Sequence, residues 1–159
     1  MPFDRTTTES WNRMISVNLT GVFFTLRAGL AQMDGWGRLI AVASTAGVKG
    51  YPYVGPYVAA KHGVVGLVRS LALEVAPREI TANALCPGFL DTEMTERSVA
   101  QIVKKTGRTD EEALAALCRN NPQGRLIQPG EVTAAALWLC NPDSASVNGQ
   151  AISISGGET

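Results

Sequence analysis

The apolar residues near the start of the chain recur every three or four positions, which is the spacing of one face of an α-helix. They are Trp11, Ile15, Leu19, Val22, Phe23, Leu26, Leu30 and Met33. Thr6 and Glu9 have the spacing of a capping box, so we expect the helix to begin beside them. Asp34 and Gly35 then interrupt the pattern, and the chain is predicted to open with one long amphipathic helix.

Two short apolar runs and a second helical pattern follow this helix. Residues 38–43 form an apolar run that is typical of a strand buried on both faces. Helical spacing returns over 55–76, and a second strand is predicted at 80–85, stopped by Pro87 and Gly88. The order helix, strand, helix, strand predicts an α/β fold with a parallel sheet and crossover helices.

The rest of the chain, after Gly88, contains a charged segment and a last strand. The charged segment, 92–121, is predicted to be helical, and the capping-box spacing of residues 109–112 divides it into two helices. Pro129 is placed to begin a further helix, and residues 150–155 alternate like a strand. Because no repeat, low-complexity segment or linker interrupts the sequence, we expect residues 1–159 to form a single domain.

Composition excludes several classes of function. The 159 residues are 45% apolar and 18% charged with a net charge of zero, which argues against binding to nucleic acid. The three cysteines lie far apart and form no metal-binding or redox pair, so no metal site is expected. The first residues do not resemble a signal peptide, and no run is expected to approach the roughly 18 apolar residues that would span a bilayer. We expect a cytoplasmic protein with no membrane partner.

The most informative side chains are a hydroxyl, a phenol and an ammonium. Tyr57 and Lys61 are four residues apart on a predicted helix, so they share a face. A neighbouring ammonium favours the phenolate and lowers the pKa of a phenol, which suits Tyr57 to proton transfer to a carbonyl oxygen. Ser44 follows the first strand, at the sheet edge where open α/β folds bind ligands. The alternative is a packed aromatic residue beside a lysine whose head reaches solvent.

Other groups give weaker indications of function. His62 is the single histidine, and no serine lies in the G-x-S-x-G turn of a hydrolase, so a Ser/His/Asp triad is disfavoured. His62 is expected to be a solvated or packed neighbour of Lys61. The basic residues Lys104, Lys105 and Arg108 either meet a phosphate of phosphopantetheine or coenzyme A, or form a solvated helix face.

Four motifs occur together along the chain in a particular order. They are Val17-Asn-Leu-Thr-Gly21, the spacing of Ser44, Tyr57 and Lys61, the segment Cys86-Pro-Gly-Phe-Leu-Asp-Thr92, and the ending from Gly149-Gln150 to Gly156-Gly157. In this combination the chain resembles the short-chain dehydrogenase/reductase family over essentially its whole length. The resemblance implies a Rossmann-type doubly wound parallel sheet and an enzyme that interconverts ketones and secondary alcohols with NAD or NADP.

The resemblance also implies a role for each matching residue. Tyr57 is expected to be the general acid or base, and Ser44 to hold the substrate oxygen. Lys61 is expected to bind the nicotinamide ribose and to lower the pKa of Tyr57, while Asn18 kinks its helix and binds a water that relays protons. An exposed helical position is the structural alternative for Asn18. The other residues expected to lie along the cofactor are Pro87, Gly88, Leu90 and Thr92, with Thr92 near the carboxamide.

One part of the family pattern is not found in this sequence. The family begins with a strand, a T-G-x-x-x-G-x-G turn and a helix whose N-terminus holds the pyrophosphate. The first glycine here is Gly21, which falls inside the first predicted helix. The resemblance therefore implies an N-terminally truncated dinucleotide-binding and catalytic domain, without the glycine-rich βαβ half. Strand 38–43 is then expected to be an uncovered sheet edge, and the sequence does not distinguish NAD from NADP.

The resemblance finally suggests a substrate class and a state of assembly. Segment 92–121 is expected to be a helical substrate lid. The sequence of the C-terminal half is similar to that of 3-oxoacyl thioester reductases and aromatic polyketide ketoreductases, which favours a 3-oxoacyl thioester among small carbonyl substrates. The first two long helices are expected to form a homo-oligomer, either a dimer or a tetramer. We expect the isolated chain to self-associate and to bind NAD(P)H weakly. The alternative function is that of a catalytically inactive fragment which acts only as a self-associating or interaction module.

Overall fold

The computed structural model describes residues 1–159 as a parallel sheet with helices packed against it. The helices are α1 (Thr8–Ile15), α2 (Gly21–Ala31), α3 (Gly55–Val75), α4 (Glu93–Thr106), α5 (Asp110–Cys118) and α6 (Pro129–Cys140). The strands are β1 (Gly37–Val42), β2 (Ile80–Pro87) and β3 (Ala151–Ile154). Short 3-10 turns lie at Phe3–Arg5, Thr45–Gly47 and Pro142–Ser144. The predicted α/β class and the predicted order of elements are confirmed.

The three strands are parallel and lie in the order β1, β2, β3. β2 is therefore the central strand, and all eight of its residues are buried. It pairs with β1 from Gly37 opposite Ile80 and with β3 from Ala84 opposite Ala151. β2 continues two residues beyond the predicted end at Leu85, since its pairing with β3 extends to Pro87. β1 forms one edge of the sheet, as predicted.

The core lies between the sheet and helix α3. Val64, Val68 and Val75 of α3 are each no more than 1% exposed. They belong to the same core cluster as Ala82 and Ala84 of β2. Alanines on the strand let the backbones of helix and sheet approach closely, which makes α3 a rigid base for the side chains at its N-terminal end.

The first helix is interrupted by a wider turn. Residues Ser16–Thr20 form a π-helical turn between α1 and α2, closed by a hydrogen bond from the Gly21 N–H to the Ser16 carbonyl. The N-cap of α1 is Thr7, whose side chain accepts a hydrogen bond from the Ser10 N–H, so the capping box expected at Thr6 was wrong by one residue. The chain therefore opens with one long helical segment that contains a π-helical turn at its middle.

The charged segment contains two helices, as predicted. The Thr109 side chain accepts from the Glu112 N–H, and the Glu112 carboxylate accepts from the Thr109 N–H, which confirms the capping box at the start of α5. Gly107, with a φ of 71°, ends α4 in the left-handed conformation that favours glycine. Lys104 and Lys105 lie in the last turn of α4, where their charge complements the carboxyl end of the helix dipole.

A buried asparagine joins β2 to the loop before β3. Asn83 is 1% exposed, and its Nδ2 donates to the Val147 carbonyl at 2.7 Å. Its Oδ1 accepts from the Gln150 N–H at 3.0 Å. The same loop places the Asn148 Oδ1 on the Ala82 N–H at 2.9 Å. These bonds replace water for polar groups inside the fold and fix where β3 begins.

The first helical segment has an exposed apolar face. Trp11 is 40%, Val17 66% and Phe24 51% exposed. By length and composition alone, Thr8–Ala31 is long and apolar enough to cross a membrane, and only 6% of that stretch is buried within the chain. A helix of a soluble protein that packs against other protein passes the same test, so this feature does not by itself place the segment in a membrane.

Candidate active site

Ser44 lies where β1 ends and the chain turns toward α3. It is half-buried, and its Oγ accepts a hydrogen bond from the Ala46 N–H at 3.1 Å. This bond caps the short turn Thr45–Gly47 and fixes the direction of the hydroxyl. Because the oxygen is used as an acceptor, the hydroxyl proton remains available for donation to a ligand.

Lys61 is a buried cation between α3 and the end of β1. It is 9% exposed, and its Nζ donates to the Val42 carbonyl at 3.1 Å, two residues before Ser44. Burial lowers the pKa of Lys61, an effect that nearby Cys86 partly opposes. An ammonium has three donors, and the protein accepts from one of them here. The remaining donors make this site suited to an oxygen-rich ligand.

Tyr57 shares its helix face with Lys61. The Lys61 Nζ lies 5.6 Å from the centre of the Tyr57 ring. Tyr57 is half-buried in the first turn of α3, which begins after Val54. The structure therefore brings Tyr57 and Lys61 together, and the Val42 contact of Lys61 places both beside the turn that carries Ser44.

Asn18 is at the centre of the π turn, so the predicted distortion of its helix is present. It is half-buried, and its Nδ2 donates to the Met14 carbonyl at 3.2 Å. The neighbouring Leu19 packs against α3 so closely that a Cβ on Gly63 would lie 2.8 Å from it. Since Gly63 follows Lys61 by two residues, this contact sets the π turn against the part of α3 that carries Tyr57 and Lys61. The role of Asn18 in water binding stays a prediction.

The four other predicted cofactor residues lie in and after the end of β2. Pro87 is buried, and the Gly88 N–H donates to the Ile154 carbonyl at 3.0 Å. Leu90 forms an isolated parallel bridge with Ile127, and its carbonyl accepts from the Thr95 hydroxyl at 2.6 Å. Thr92 is the N-cap of α4 but makes no side-chain capping bond. The segment is thus held by its backbone, which leaves the Thr92 hydroxyl for other partners.

Sequence reasoning missed two features of this site. The contact of Cys86 with the site is one of them: Cys86 is fully buried at the end of β2, where burial raises the pKa of its thiol and the charge of Lys61 partly opposes this. A second missed group, around Glu158, is described below. His62, by contrast, is exposed with its Nδ1 on the Val58 carbonyl at 3.0 Å, which agrees with a solvated neighbour of Lys61. No cluster of ligands able to hold a metal ion occurs.

Gly47 allows the serine turn to touch the backbone of α3. A Cβ at this position would lie 2.8 Å from the Lys61 carbonyl oxygen and 3.1 Å from Val65. We expect Gly47→Ala to lower the free energy of unfolding by about 2 kcal/mol, because the turn must move away from the helix. Urea unfolding followed by circular dichroism measures this change.

Gly50 provides the matched control for that substitution. It lies in the same loop, and a Cβ there would meet nothing within 4 Å. Gly50→Ala is expected to change the free energy of unfolding by less than about 0.5 kcal/mol. Equal effects of the two substitutions would contradict the close approach of the turn to α3.

Comparison with known proteins gives consistent matches. A family model described as enoyl-(acyl carrier protein) reductase matches residues 1–159. The D-beta-hydroxybutyrate dehydrogenase of Rhizobium meliloti (strain 1021) is 37% identical over 154 residues, which cover 95% of this chain and 60% of that protein. The 3-oxoacyl-acyl-carrier-protein reductase of Vibrio harveyi is 35% identical over 151 residues, covering 94% and 57%. The crystal structure of a variant of actinorhodin polyketide ketoreductase with NADPH matches with a TM-score of 0.89 and 37% identity, over 98% of this chain and 61% of the ketoreductase.

These matches agree with one another in fold and in type of reaction. The chain spans about 60% of the length of the relatives that it matches. Each of them is a dehydrogenase or reductase by name, and the solved one shares the fold described above. The resemblance expected from the sequence is confirmed: the chain belongs to the short-chain dehydrogenase/reductase family of oxidoreductases.

Proposed function

We propose that this chain carries the proton-transfer site of an NAD(P)(H)-dependent oxidoreductase that interconverts a ketone and a secondary alcohol. The observation that carries the proposal is the position of Lys61. Its buried ammonium lies 5.6 Å from the centre of the Tyr57 ring and 3.1 Å from the Val42 carbonyl at the end of β1. A cation held beside a phenol and a serine turn is an arrangement that favours proton transfer to an oxygen atom.

The chemical roles follow from these contacts. The reduced nicotinamide, when bound, supplies a hydride for the carbonyl carbon. Tyr57 donates its phenolic proton to the carbonyl oxygen, and in the reverse direction accepts the proton of the alcohol. Ser44 donates a hydrogen bond to the same oxygen, since its own oxygen is already used by the Ala46 N–H. Lys61 supplies the replacement proton to Tyr57, and the water bound at Asn18 returns a proton to Lys61. Burial, which lowers the pKa of Lys61, makes its ammonium a readier donor.

The residues present fit the nicotinamide half of NAD or NADP. The uncommitted donors of the buried Lys61 suit the two hydroxyls of a ribose. Thr92 does not cap α4 with its side chain, and we propose that its hydroxyl meets the carboxamide beyond Pro87, Gly88 and Leu90. The glycine-rich turn that holds the pyrophosphate is not found in the sequence, so we propose no residues for the adenosine half.

A 3-oxoacyl or 3-hydroxyacyl thioester is the substrate class that we propose. The relatives include a 3-oxoacyl-acyl-carrier-protein reductase and a polyketide ketoreductase. Helices α4 and α5, within the predicted lid 92–121, follow directly after the end of β2. We propose that they lie beside the carboxyl ends of the strands, where the candidate site is. We also propose that the protein is cytoplasmic.

Self-association is the second function that a specific observation favours. A groove between α2 and α3 is lined by five apolar residues, Phe23, Leu26, Leu30, Leu67 and Leu71, and by the polar residues Arg27, Ser70 and Glu74. Leu73, two residues after Leu71 in α3, is 79% exposed. An exposed apolar surface of this kind marks a protein interface, and we propose a second copy of the chain as its partner. Assembly through this face would remain even if the chain had no catalytic activity.

Titration of the purified chain with NADPH and with reduced nicotinamide mononucleotide tests the catalytic proposal. Because the adenosine half has no recognisable site, we expect the two compounds to bind with dissociation constants within about threefold of each other. Both should support slow reduction of a short 3-oxoacyl thioester, which is measured as the loss of nicotinamide absorbance. Sedimentation of the same samples measures the oligomeric state.

The outcomes separate the two functions. Comparable weak binding of both compounds with measurable turnover supports the oxidoreductase. Micromolar binding of NADPH alone would show that a clamp for the adenosine half is present after all. Oligomers that neither bind the nicotinamide nor reduce the thioester would favour the self-associating module.

A further inference from the structure

A polar cluster lies behind the serine turn, outside the set of residues assigned above. It consists of Thr45, Lys49, Tyr51 and Glu158, which we call the tail cluster. The Tyr51 hydroxyl contacts both the Thr45 Oγ1, at 2.7 Å, and the Glu158 carboxylate. The Lys49 Nζ lies 3.2 Å from Glu158. The cluster therefore joins the β1–α3 loop to the last residues of the chain.

The carboxylate of this cluster is almost completely buried. The Glu158 side chain is 3% exposed, whereas its cation partner Lys49 is 38% exposed. A carboxylate is costly to bury unless a positive charge and hydrogen-bond donors satisfy it. Lys49 and the Tyr51 hydroxyl supply both. Burial, together with the hydrogen bond to Glu158, raises the pKa of Tyr51 to about 12, so this phenol stays a donor at neutral pH.

The tail that carries Glu158 is itself fixed. The Thr159 N–H and the Thr159 hydroxyl bond to Ser155 and Ser153 at the end of β3. Gly156 has a φ of 64°, and a Cβ there would lie 1.9 Å from the Asn121 Oδ1. Because the residues on both sides of Glu158 are held in place, Glu158 has a defined position from which to contact the loop.

The cluster approaches the candidate site at two places. Thr45, whose hydroxyl donates to the Tyr51 oxygen because the one Tyr51 proton is donated to Glu158, is adjacent to Ser44 and is itself 4% exposed. The turn Thr45–Gly47 is the one that Ser44 caps through the Ala46 N–H. On its other side, Glu158 lies close to Gly88, since a Cβ on Gly88 would be 3.6 Å from the Glu158 Oε2. The carboxylate thus stands between the serine turn and the segment after β2.

We propose that Glu158 is a positioning residue, which acts through Tyr51 and Thr45 to hold the Ser44 hydroxyl in the orientation needed for donation to the substrate oxygen. This inference rests on the proposed function, because the substrate oxygen that receives the Ser44 hydrogen bond belongs to that function. The contacts from Glu158 to Thr45 join residues of the protein alone, so they are testable in the purified protein.

The Ala46 amide reports directly on the orientation of Ser44. In ¹H–¹⁵N spectra of the purified chain, Tyr51→Phe should shift the Ala46 signal toward its position in Ser44→Ala. Hydrogen exchange at Ala46 should become about fivefold faster, the loss expected for one modest hydrogen bond. Glu158→Ala should have the same effect. Glu158→Gln, which keeps an oxygen acceptor, should restore part of the wild-type signal.

Two variants provide matched controls. Tyr53→Phe removes a hydroxyl from a residue of the same loop that is 69% exposed, and Glu96→Ala removes an exposed carboxylate from α4. Both should leave the Ala46 signal and its exchange unchanged. An Ala46 signal that does not move in Tyr51→Phe or Glu158→Ala would overturn the proposal. Faster exchange spread evenly over the chain would also overturn it, since that shows general destabilisation. Neither measurement uses nicotinamide, so failure here is distinct from failure of the proposed oxidoreductase.

Discussion

Tyr57→Phe is expected to reduce the rate of thioester reduction by about 100-fold or more, because general acid catalysis by a positioned side chain contributes at least that much. The substitution removes one oxygen and its proton while it keeps the ring that packs beside Lys61. Binding of reduced nicotinamide mononucleotide should change by less than about threefold, since Lys61 keeps its uncommitted donors. The experiment compares initial rates at saturating nicotinamide with binding measured by fluorescence.

Tyr53→Phe is the matched control for this substitution. Tyr53 lies four residues earlier, in the loop before α3, and it is 69% exposed. Its replacement should leave both the rate and the binding unchanged. Equal rates for the wild-type chain and Tyr57→Phe would remove Tyr57 from the proton-transfer step, and with it the main argument for the enzyme. A parallel loss of binding would instead indicate that the phenol serves to hold the nicotinamide.

The positions of the helices and strands could be predicted because local patterns determine them. The apolar run at 38–43 corresponds to β1 (Gly37–Val42), and the helical spacing over 55–76 corresponds to α3 (Gly55–Val75). The end of β2 was misplaced by two residues, since Pro87 is recruited by pairing with Ile154 from a distant strand. The cap of the first helix was misplaced because Thr6 and Thr7 are both suitable side chains, and tertiary packing selects between them.

The candidate site could be predicted only where its members are joined by a short stretch of chain. Tyr57 and Lys61 share a helix face by their spacing, and Ser44 lies at the end of the preceding strand. Burial of Lys61 against the Val42 carbonyl depends on how closely α3 approaches β1. The resemblance also implied the distortion at Asn18, which the structure shows as a π turn.

The tail cluster illustrates what sequence patterns do not reveal. Tyr51 and Glu158 are 107 positions apart, and neither stands in a motif. Near the end of a chain, a glutamate after two glycines is typical of an exposed position. Its burial arises because β3 lies beside β2 and directs the tail back over the end of the sheet. Only the assembled sheet makes a charged terminal residue part of the surroundings of the site.

Asn83→Ala is expected to lower the free energy of unfolding by about 3 kcal/mol, because it removes two hydrogen bonds of a buried side chain and leaves two part-buried backbone groups without their partner, at a cost of about 1–2 kcal/mol each. These groups are the Val147 carbonyl, at 2.7 Å from Asn83 Nδ2, and the Gln150 N–H, at 3.0 Å from Asn83 Oδ1. Asn83 is 1% exposed, so water does not replace the lost partners without opening the sheet. Urea unfolding followed by circular dichroism gives the change in free energy.

Asn120→Ala tests whether that loss belongs to the buried position. Asn120 is exposed in the turn after α5, and its replacement should change the free energy of unfolding by less than about 0.5 kcal/mol. A loss below about 1 kcal/mol in Asn83→Ala would contradict the interpretation, since such a value is that of a surface hydrogen bond. Because the bonds of Asn83 fix where β3 begins, the same variant should also speed hydrogen exchange in β3 more than in β1. That difference would show that the central strand holds the C-terminal strand through this one amide.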